Sequence, residues 1–169
     1  MGEIDRNLVL ARYNFASRWT KGHRIYEIGC GKGWGSLNLK ANKYIGIDGN
    51  ESFIKFANEN YADSFDDKAP KFQRTDPNYL AENMVRKHVV LCFDADKIIK
   101  DMEHFIGWSY RHGRKLIISI SPGSMDIDEF RKMLESRWKK VALYLQDGFD
   151  FVEGVTWDYP ETIIAVCEK

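Results

Sequence analysis

The residues with the clearest chemical use form a glycine-rich run, Glu27-Ile-Gly-Cys-Gly-Lys-Gly-Trp-Gly35. The run follows a predicted strand directly, and a helix is predicted to begin near Gly33. Glycines at alternate positions allow positive φ angles and let a ligand approach the backbone where a side chain would clash. The free N–H groups at the start of a helix attract an anion. The pattern indicates a loop that binds the polar part of a ligand rather than a simple turn.

Asp48, at the end of the second predicted strand, is the next candidate. A carboxylate at this position can accept hydrogen bonds from both hydroxyls of a ribose. The alternative is that Asp48 only caps the helix predicted to start near Glu51. Together, the glycine run and Asp48 indicate a cofactor that contains a nucleoside.

The spacing of the glycines differs from the dinucleotide fingerprint G-x-G-x-x-G. Counted from Gly29, the third glycine of that fingerprint falls on Trp34, and counted from Gly31 it falls on Ser36. A tryptophan where helix and strand must pack closely argues against a bound pyrophosphate. The sequence therefore disfavours NAD.

The spacing Glu27-x-Gly-x-Gly-x-Gly33 resembles motif I of the class I S-adenosylmethionine (SAM)-dependent methyltransferases. The resemblance covers nearly the whole chain, because residues 44–52 look like the family's second strand and following turn, and residues 75–77 look like its third-strand acid. It implies SAM as the cofactor, S-adenosylhomocysteine as the product, and methyl transfer as the reaction. The alternatives are an enzyme that cleaves SAM or transfers an aminopropyl group on the same frame, and a non-catalytic module that binds a partner.

The resemblance also implies roles for individual residues. Glu27 orients the loop or meets the methionyl amino group, directly or through water. Asp48 holds the ribose, and Asp76 receives the adenine amino group, although an Asp-Pro pair is equally typical of a turn. The other implied contacts are with the methionine part (Gly29, Cys30, Gly31 and Gly33), the adenosine (Gly49 and Asn50) and the methyl-transfer site (Phe93).

Asp94 follows the fourth predicted strand, where the family distinguishes its acceptors, and it is the candidate general base. The alternatives for Asp94 and Asp96 are a cation site and a solvated loop acid.

The segment after the fourth predicted strand lacks the Pro-Pro-aromatic run of the amide- and base-amine-methylating branch, and Cys92 lacks the preceding proline of the pyrimidine-carbon branch. A sulfonium is already an activated methyl donor, so positioning can supply much of the rate. No metal site is predicted.

Residues 146–161, which connect the last two predicted strands, carry five acidic residues and neither Lys nor Arg. Four aromatic residues are interleaved with the acids, namely Phe149, Phe151, Trp157 and Tyr159. Such a wall suits a cationic or amine acceptor and repels a phosphate backbone. The alternative is a hairpin whose aromatic side chains pack on the sheet. We expect a small molecule or an exposed peptide side chain as acceptor, unless a partner subunit supplies recognition.

Short apolar runs alternate with helical periods, which predicts an α/β fold. With the resemblance, this gives a single Rossmann-like three-layer domain over residues 1–169, with a mostly parallel seven-stranded sheet and a C-terminal antiparallel hairpin. One antiparallel strand is expected at or near its edge. The strands are predicted at residues 24–28, 43–48, 71–75, 88–93, 115–121, 141–145 and 162–167. Besides the helix near Gly33, helices are predicted over residues 4–19, 51–61 and 97–110 and after the cap residue Asp126.

The first helix, within residues 1–22, has one apolar face formed by Ile4, Leu8, Ala11, Phe15 and Trp19. Arg6, Arg12 and Arg18 fall mostly off that face. Packing on the core is the favoured interpretation, and a lid over a ligand is the alternative.

The composition limits the classes of function. The 169 residues include 25 basic and 25 acidic side chains, a balance that disfavours a dedicated nucleic-acid binder. No apolar run approaches the about 18 residues of a membrane span, and no signal peptide is evident. The three cysteines are far apart in the sequence and odd in number, so neither a zinc site nor a disulfide framework is predicted. The expected compartment is a reducing cytoplasm.

Overall fold

The computed structural model describes residues 6–62, 71–79, 88–154 and 160–169. Within them, eight strands form one sheet: β1 (Arg24–Ile28), β2 (Lys43–Asp48), β3 (Lys71–Arg74), β4 (His88–Cys92), β5 (Gly113–Ile120), β6 (Lys140–Asp147), β7 (Asp150–Glu153) and β8 (Thr162–Glu168). Their order is β3-β2-β1-β4-β5-β8-β6-β7. The first five strands pair in parallel. β8 runs antiparallel between β5 and β6, and β7 runs antiparallel along β6.

Helices cover both faces of this sheet: α1 (Arg6–Thr20), α2 (Glu51–Tyr61), α3 (Ala95–Ile98), α4 (Met102–His112) and α5 (Ile127–Glu135). α1 and α2 pack on one face, through residues such as Phe15 and Ala57, and α3 to α5 pack on the other, through residues such as Phe105 and Phe130. β4 lies between the layers and is buried at every residue, as expected for a central parallel strand. The predicted three-layer α/β class is confirmed. None of the described helices combines the length and apolarity that a membrane crossing requires.

The predicted number of seven strands is wrong, because the connection between β6 and β8 contributes an eighth strand, β7. Asp147 pairs with Asp150, so Gly148 and Phe149 alone form the turn. Gly148 has a φ of 57°, a left-handed value that suits such a two-residue hairpin turn. The sheet therefore has two antiparallel strands, not the single one expected. A four-residue strand is too short to give a clear alternating pattern.

The predicted helix near Gly33 is absent, and residues 31–40 form successive turns. The Gly33 N–H donates to Cys30 O at 3.0 Å, and the Ser36 N–H donates to Gly33 O at 3.2 Å. These bonds join residues three apart, whereas an α-helix joins residues four apart. Gly33 has a φ of 72°, which a right-handed helix excludes. The anion site that a helix N-terminus would form is therefore not present in this loop.

The helix predicted over residues 97–110 is two helices, α3 and α4. Ile99 is extended (φ −95°, ψ 121°), and Asp101 caps α4 by accepting a hydrogen bond from the His104 N–H at 2.9 Å. An aspartate is more favourable at this cap position than inside a helix, which explains the break. The predicted start of α5 is confirmed, because Asp126 accepts a hydrogen bond from the Glu129 N–H at 2.9 Å.

Candidate cofactor site

The predicted site residues meet at the carboxyl edge of the parallel strands. The loop over residues 29–35 follows β1, Asp48 ends β2, and Phe93 and Asp94 follow β4. β1 and β4 are neighbours, and the chain continues from β1 to β2 and from β4 to β5, in opposite directions along the sheet. Ligands of open α/β sheets bind in the crevice at such a switch point. The fold therefore brings the glycine loop, Asp48 and the segment after β4 into one region.

The glycine loop is tied to the end of β2 by its backbone. The N–H groups of Gly29 and Cys30 both donate to Ile47 O, at 2.9 and 3.0 Å. The Gly31 N–H donates to Asp48 Oδ2 at 2.9 Å. Gly31 has a φ of 53°, and a Cβ built on it would meet no atom within 4 Å. The backbone at Gly31 is thus open to a ligand.

Gly33 differs from Gly31 because its missing side chain makes room for the core. A Cβ on Gly33 would lie 2.6 Å from Phe72 Cε1 and 3.1 Å from Ala57 Cβ.

Gly31 and Gly33 both have positive φ, so replacement by alanine strains the backbone at each by about 1–2 kcal/mol. We expect Gly33→Ala to lower the free energy of unfolding by about 2 kcal/mol more than Gly31→Ala, because only Gly33→Ala overpacks the core. Urea unfolding of the two variants measures the difference, and equal losses would contradict the packing.

Asp48 bridges two loops through its carboxylate. Besides the Gly31 N–H on Oδ2, the Asn50 N–H donates to Oδ1 at 2.8 Å. Each oxygen keeps a lone pair for a further donor, and the residue is partly exposed. Asp48 is not the cap of α2, because Asn50 Oδ1 accepts hydrogen bonds from the N–H groups of Ser52 and Phe53. The carboxylate is therefore held in place and can still accept hydrogen bonds from two hydroxyls.

Glu27 is buried in the core, with 1% of its surface exposed. The Tyr13 hydroxyl donates to Glu27 Oε1 at 2.5 Å, and the Tyr44 hydroxyl donates to Oε2. Burial raises the pKa of Glu27 from its ordinary 4.5 to about 7, although the two tyrosine hydroxyls oppose this shift. Glu27 is thus not exposed to a ligand in this conformation, and its contact with a methionyl amino group stays a prediction.

Tyr13, which the sequence analysis missed, connects α1 to the site. Its ring packs edge to face on Phe93, with centroids 4.9 Å apart. A Cβ on Gly35 would lie 2.2 Å from the Tyr13 ring, so this glycine accommodates a tyrosine rather than a ligand. The available signal is the helical spacing of Tyr13, Ala16 and Thr20, all of which are buried. The buried face of α1 is therefore rotated from the predicted one.

Asp94 has a left-handed backbone (φ 52°), and its N–H donates to Ser119 Oγ at 2.9 Å. Arg12 Nη1 lies 3.0 Å from both carboxylate oxygens of Asp94, and Lys97 Nζ lies 3.6 Å from Oδ1. The expectation that Arg12 lies off the buried face of α1 is wrong, because its side chain is only 12% exposed. In this conformation the candidate base is paired with α1.

Asp76 lies in the turn after β3 and is exposed. Its Oδ1 accepts hydrogen bonds from the Asn78 N–H at 2.9 Å and from Asn78 Nδ2 at 3.1 Å, and these bonds lower the pKa of Asp76. The Thr75 N–H donates to Asp48 O at 3.0 Å and joins this turn to β2. The turn interpretation is confirmed, and contact with an adenine amino group stays a prediction.

The acidic aromatic connection is described only in part. Phe151 stacks on Phe15, with centroids 4.2 Å apart and ring planes at 18°, so this side chain packs against α1. Phe149 is 65% exposed at the tip of the turn. Trp157, Asp158 and Tyr159 lie outside the described residues. An acceptor-facing wall in this connection stays a prediction.

Solved structures similar to this chain include SAM-dependent methyltransferases. One from Thermotoga maritima is 14% identical and has a TM-score of 0.68, with 98% of this chain and 94% of that chain covered. A TehB-like enzyme from Corynebacterium glutamicum is 18% identical, with a TM-score of 0.68 and coverage of 95% and 86%. The magnesium protoporphyrin IX methyltransferase of Synechocystis, solved with bound SAM, is 17% identical, with a TM-score of 0.66 and coverage of 99% and 86%.

No protein-family model matches the chain, and no curated protein matches its sequence. The likeness to the solved structures therefore concerns the fold. This chain has the class I SAM-dependent methyltransferase fold, as its sequence resemblance predicts.

Proposed function

We propose that the protein is a methyltransferase that binds SAM and moves its methyl group to a small molecule or an exposed peptide side chain. The observation that carries the proposal is the pairing of Asp48 with the open backbone of Gly31, 2.9 Å apart at the switch point of the sheet. Structures of the same fold are methyltransferases, one of them solved with bound SAM.

The hydrogen-bond acceptors of the site suit the nucleoside half of SAM. Asp48 offers two fixed oxygens to ribose hydroxyls, and Asp76 offers an exposed carboxylate to an adenine amino group. The space beside Gly31, which a Cβ would enter without meeting an atom within 4 Å, is open to the ligand. The other positions that we assign to cofactor binding are Glu27, Gly29, Cys30, Gly33, Gly49, Asn50 and Phe93.

The methionine half requires a change at α1. Tyr13 covers Glu27 and contacts Phe93, so the methionyl group can reach Glu27 only if the tyrosine moves aside. We therefore assign to residues 1–22 the role of a lid within the single domain 1–169. The lid excludes water from the site when it is closed.

SAM supplies a methyl group that is already activated by its sulfonium. The chain's own contribution is to place the acceptor in line and to keep water out. We assign to Asp94 the role of general base, because an acceptor that is protonated at working pH must lose a proton before it can react. The carboxylate of Asp94 lies at the end of β4, beside Phe93, where it can take that proton.

We also propose that the protein works in the cytoplasm. Cys30, Cys92 and Cys167 are free thiols buried in the core, and burial raises the pKa of each. Buried protonated thiols are inert and suit a reducing cytoplasm.

The experiment for this function is a transfer assay with SAM labelled on the methyl group. We expect label to move to an acceptor from a panel of amines, phenols and short peptides, with one S-adenosylhomocysteine formed for each methyl transferred. Asp94→Asn should lower kcat at saturating concentrations of SAM and acceptor. Consumption of SAM to products other than S-adenosylhomocysteine would contradict methyl transfer and indicate SAM cleavage or aminopropyl transfer.

A further inference from the structure

The guanidinium of Arg12 occupies a small polar site between β4 and β6. Nη1 lies 3.0 Å from both carboxylate oxygens of Asp94, and Nε donates to Gln146 Oε1 at 3.0 Å. Asp94 follows β4 and Gln146 lies on β6, and these strands are not neighbours, since β5 and β8 lie between them. The site thus joins three separate parts of the chain around the Arg12 guanidinium, and a second cation, Lys97 Nζ, lies 3.6 Å from Asp94 Oδ1.

The oxygens of this site are fixed by contacts that do not involve Arg12. The Asp94 backbone is held by its bond to Ser119 Oγ at 2.9 Å. Gln146 is fully buried, and its Nε2 donates to Gly148 O at 2.9 Å and to Leu8 O at 3.2 Å. Because Nε2 is the amide donor, Oε1 must point toward Arg12 as an acceptor. The geometry is therefore built into the sheet end as well as into α1.

Without Arg12, the site presents hydrogen-bond acceptors. It keeps the charged Asp94 carboxylate and the amide oxygen of Gln146. Such a set binds a cation that carries two or more N–H groups. An anion that displaced Arg12 would be repelled by the Asp94 carboxylate, because the guanidinium that could attract it would have left the site.

We propose that Asp94 and Gln146 form the binding site for the cationic amine or guanidine group of the methyl acceptor, and that Arg12 occupies this site until the acceptor replaces it. The inference rests on the proposed function, because it names the acceptor class of that reaction. An ammonium held by Asp94 gives one proton to the carboxylate. The lone pair of the neutral nitrogen then forms the N–CH₃ bond as the S–CH₃ bond of SAM breaks and S-adenosylhomocysteine leaves, and Asp94 releases its proton to solvent. Arg12 is then an internal competitor that sets specificity.

The first test measures binding alone and needs no SAM. Isothermal titration of Arg12→Ala with ethylguanidinium should show binding that the wild type lacks, and sodium propionate should not bind. Arg18→Ala, which removes an exposed arginine of the same helix, is the matched control and should behave like the wild type. Adding Asp94→Asn to Arg12→Ala should abolish the binding. If Arg12→Ala fails to fold, Arg12→Met keeps the aliphatic stem and takes its place.

The second test separates an acceptor site from a merely structural ion pair. With labelled SAM and agmatine or tyramine as probes, Arg12→Ala should have a KM for the amine about tenfold lower than the wild type, because the competing conformation is removed. Its kcat should be similar. An unchanged KM, or binding of propionate to the wild type through Arg12, would overturn the inference. If ethylguanidinium binds but SAM does not, the proposed function fails while the cation site stands.

Discussion

Replacing Glu27 by glutamine should remove a pH dependence of stability worth about 3 kcal/mol. The carboxyl has a pKa of about 7 in the folded protein and an ordinary value of 4.5 when unfolded. Between these values the folded state binds the proton more tightly, so its contribution to the free energy of unfolding is fully present below pH 4.5 and is lost as the pH rises through 7. At 1.36 kcal/mol per pH unit, this separation gives about 3 kcal/mol.

The measurement is urea unfolding of the wild type and of Glu27→Gln between pH 4.5 and 8. Glutamine has the same shape and can accept from one tyrosine hydroxyl and donate to the other, so the core stays packed. The variant should gain stability relative to the wild type as the pH rises. Glu135→Gln, an exposed glutamate on α5, is the matched control and should leave the pH profile unchanged. Parallel profiles for Glu27→Gln and the wild type would show that Glu27 does not titrate in the core.

Replacing Asp48 by asparagine should weaken SAM binding about 100-fold. A carboxylate that accepts two ribose hydroxyls makes two charge-assisted hydrogen bonds, and each contributes about 1.5 kcal/mol or more. Asparagine can still accept the Gly31 N–H through its Oδ1, so the loop keeps its tie to β2. Its amide nitrogen is a donor and cannot accept the second hydroxyl or the Asn50 N–H.

Titration of SAM into both proteins measures this loss, with unfolding by urea as the check that the variant is folded. Asp128→Asn is the control, because Asp128 is exposed in the first turn of α5, and α5 packs on the face of the sheet opposite α1 and α2. It should bind SAM as the wild type does. Equal affinity of Asp48→Asn and the wild type would place the ribose elsewhere.

The placement of Asp48 and of the glycine loop could be predicted from the sequence, because both depend on local patterns. A near-continuous apolar run identifies β4, shorter segments rich in isoleucine and tyrosine identify β1 and β2, and parallel neighbours must present their carboxyl ends at one edge. The helix expected after Gly33 could not be excluded in this way. Its absence follows from the positive φ of Gly33 and from the Phe72 ring that packs against it, which depend on the folded core.

Arg12, Tyr13 and Gln146 could not be predicted as site residues, because their roles depend on how α1 lies on the sheet. A helical period shows which residues share a face but not which neighbour that face will meet. Arg12 reaches a residue 82 positions away and another 134 positions away. Pairings at such separations are set by tertiary packing, and charge alone gives an arginine no preference among the acidic side chains of the chain.

The central claim is that this fold binds SAM, and isothermal titration of the wild-type protein with SAM and, separately, with NAD tests it most directly. The structure predicts that SAM binds with one site per chain and that NAD does not bind, because the glycine spacing places Trp34 where a pyrophosphate loop needs a glycine. A folded sample that binds NAD, or that binds neither compound, would contradict the account.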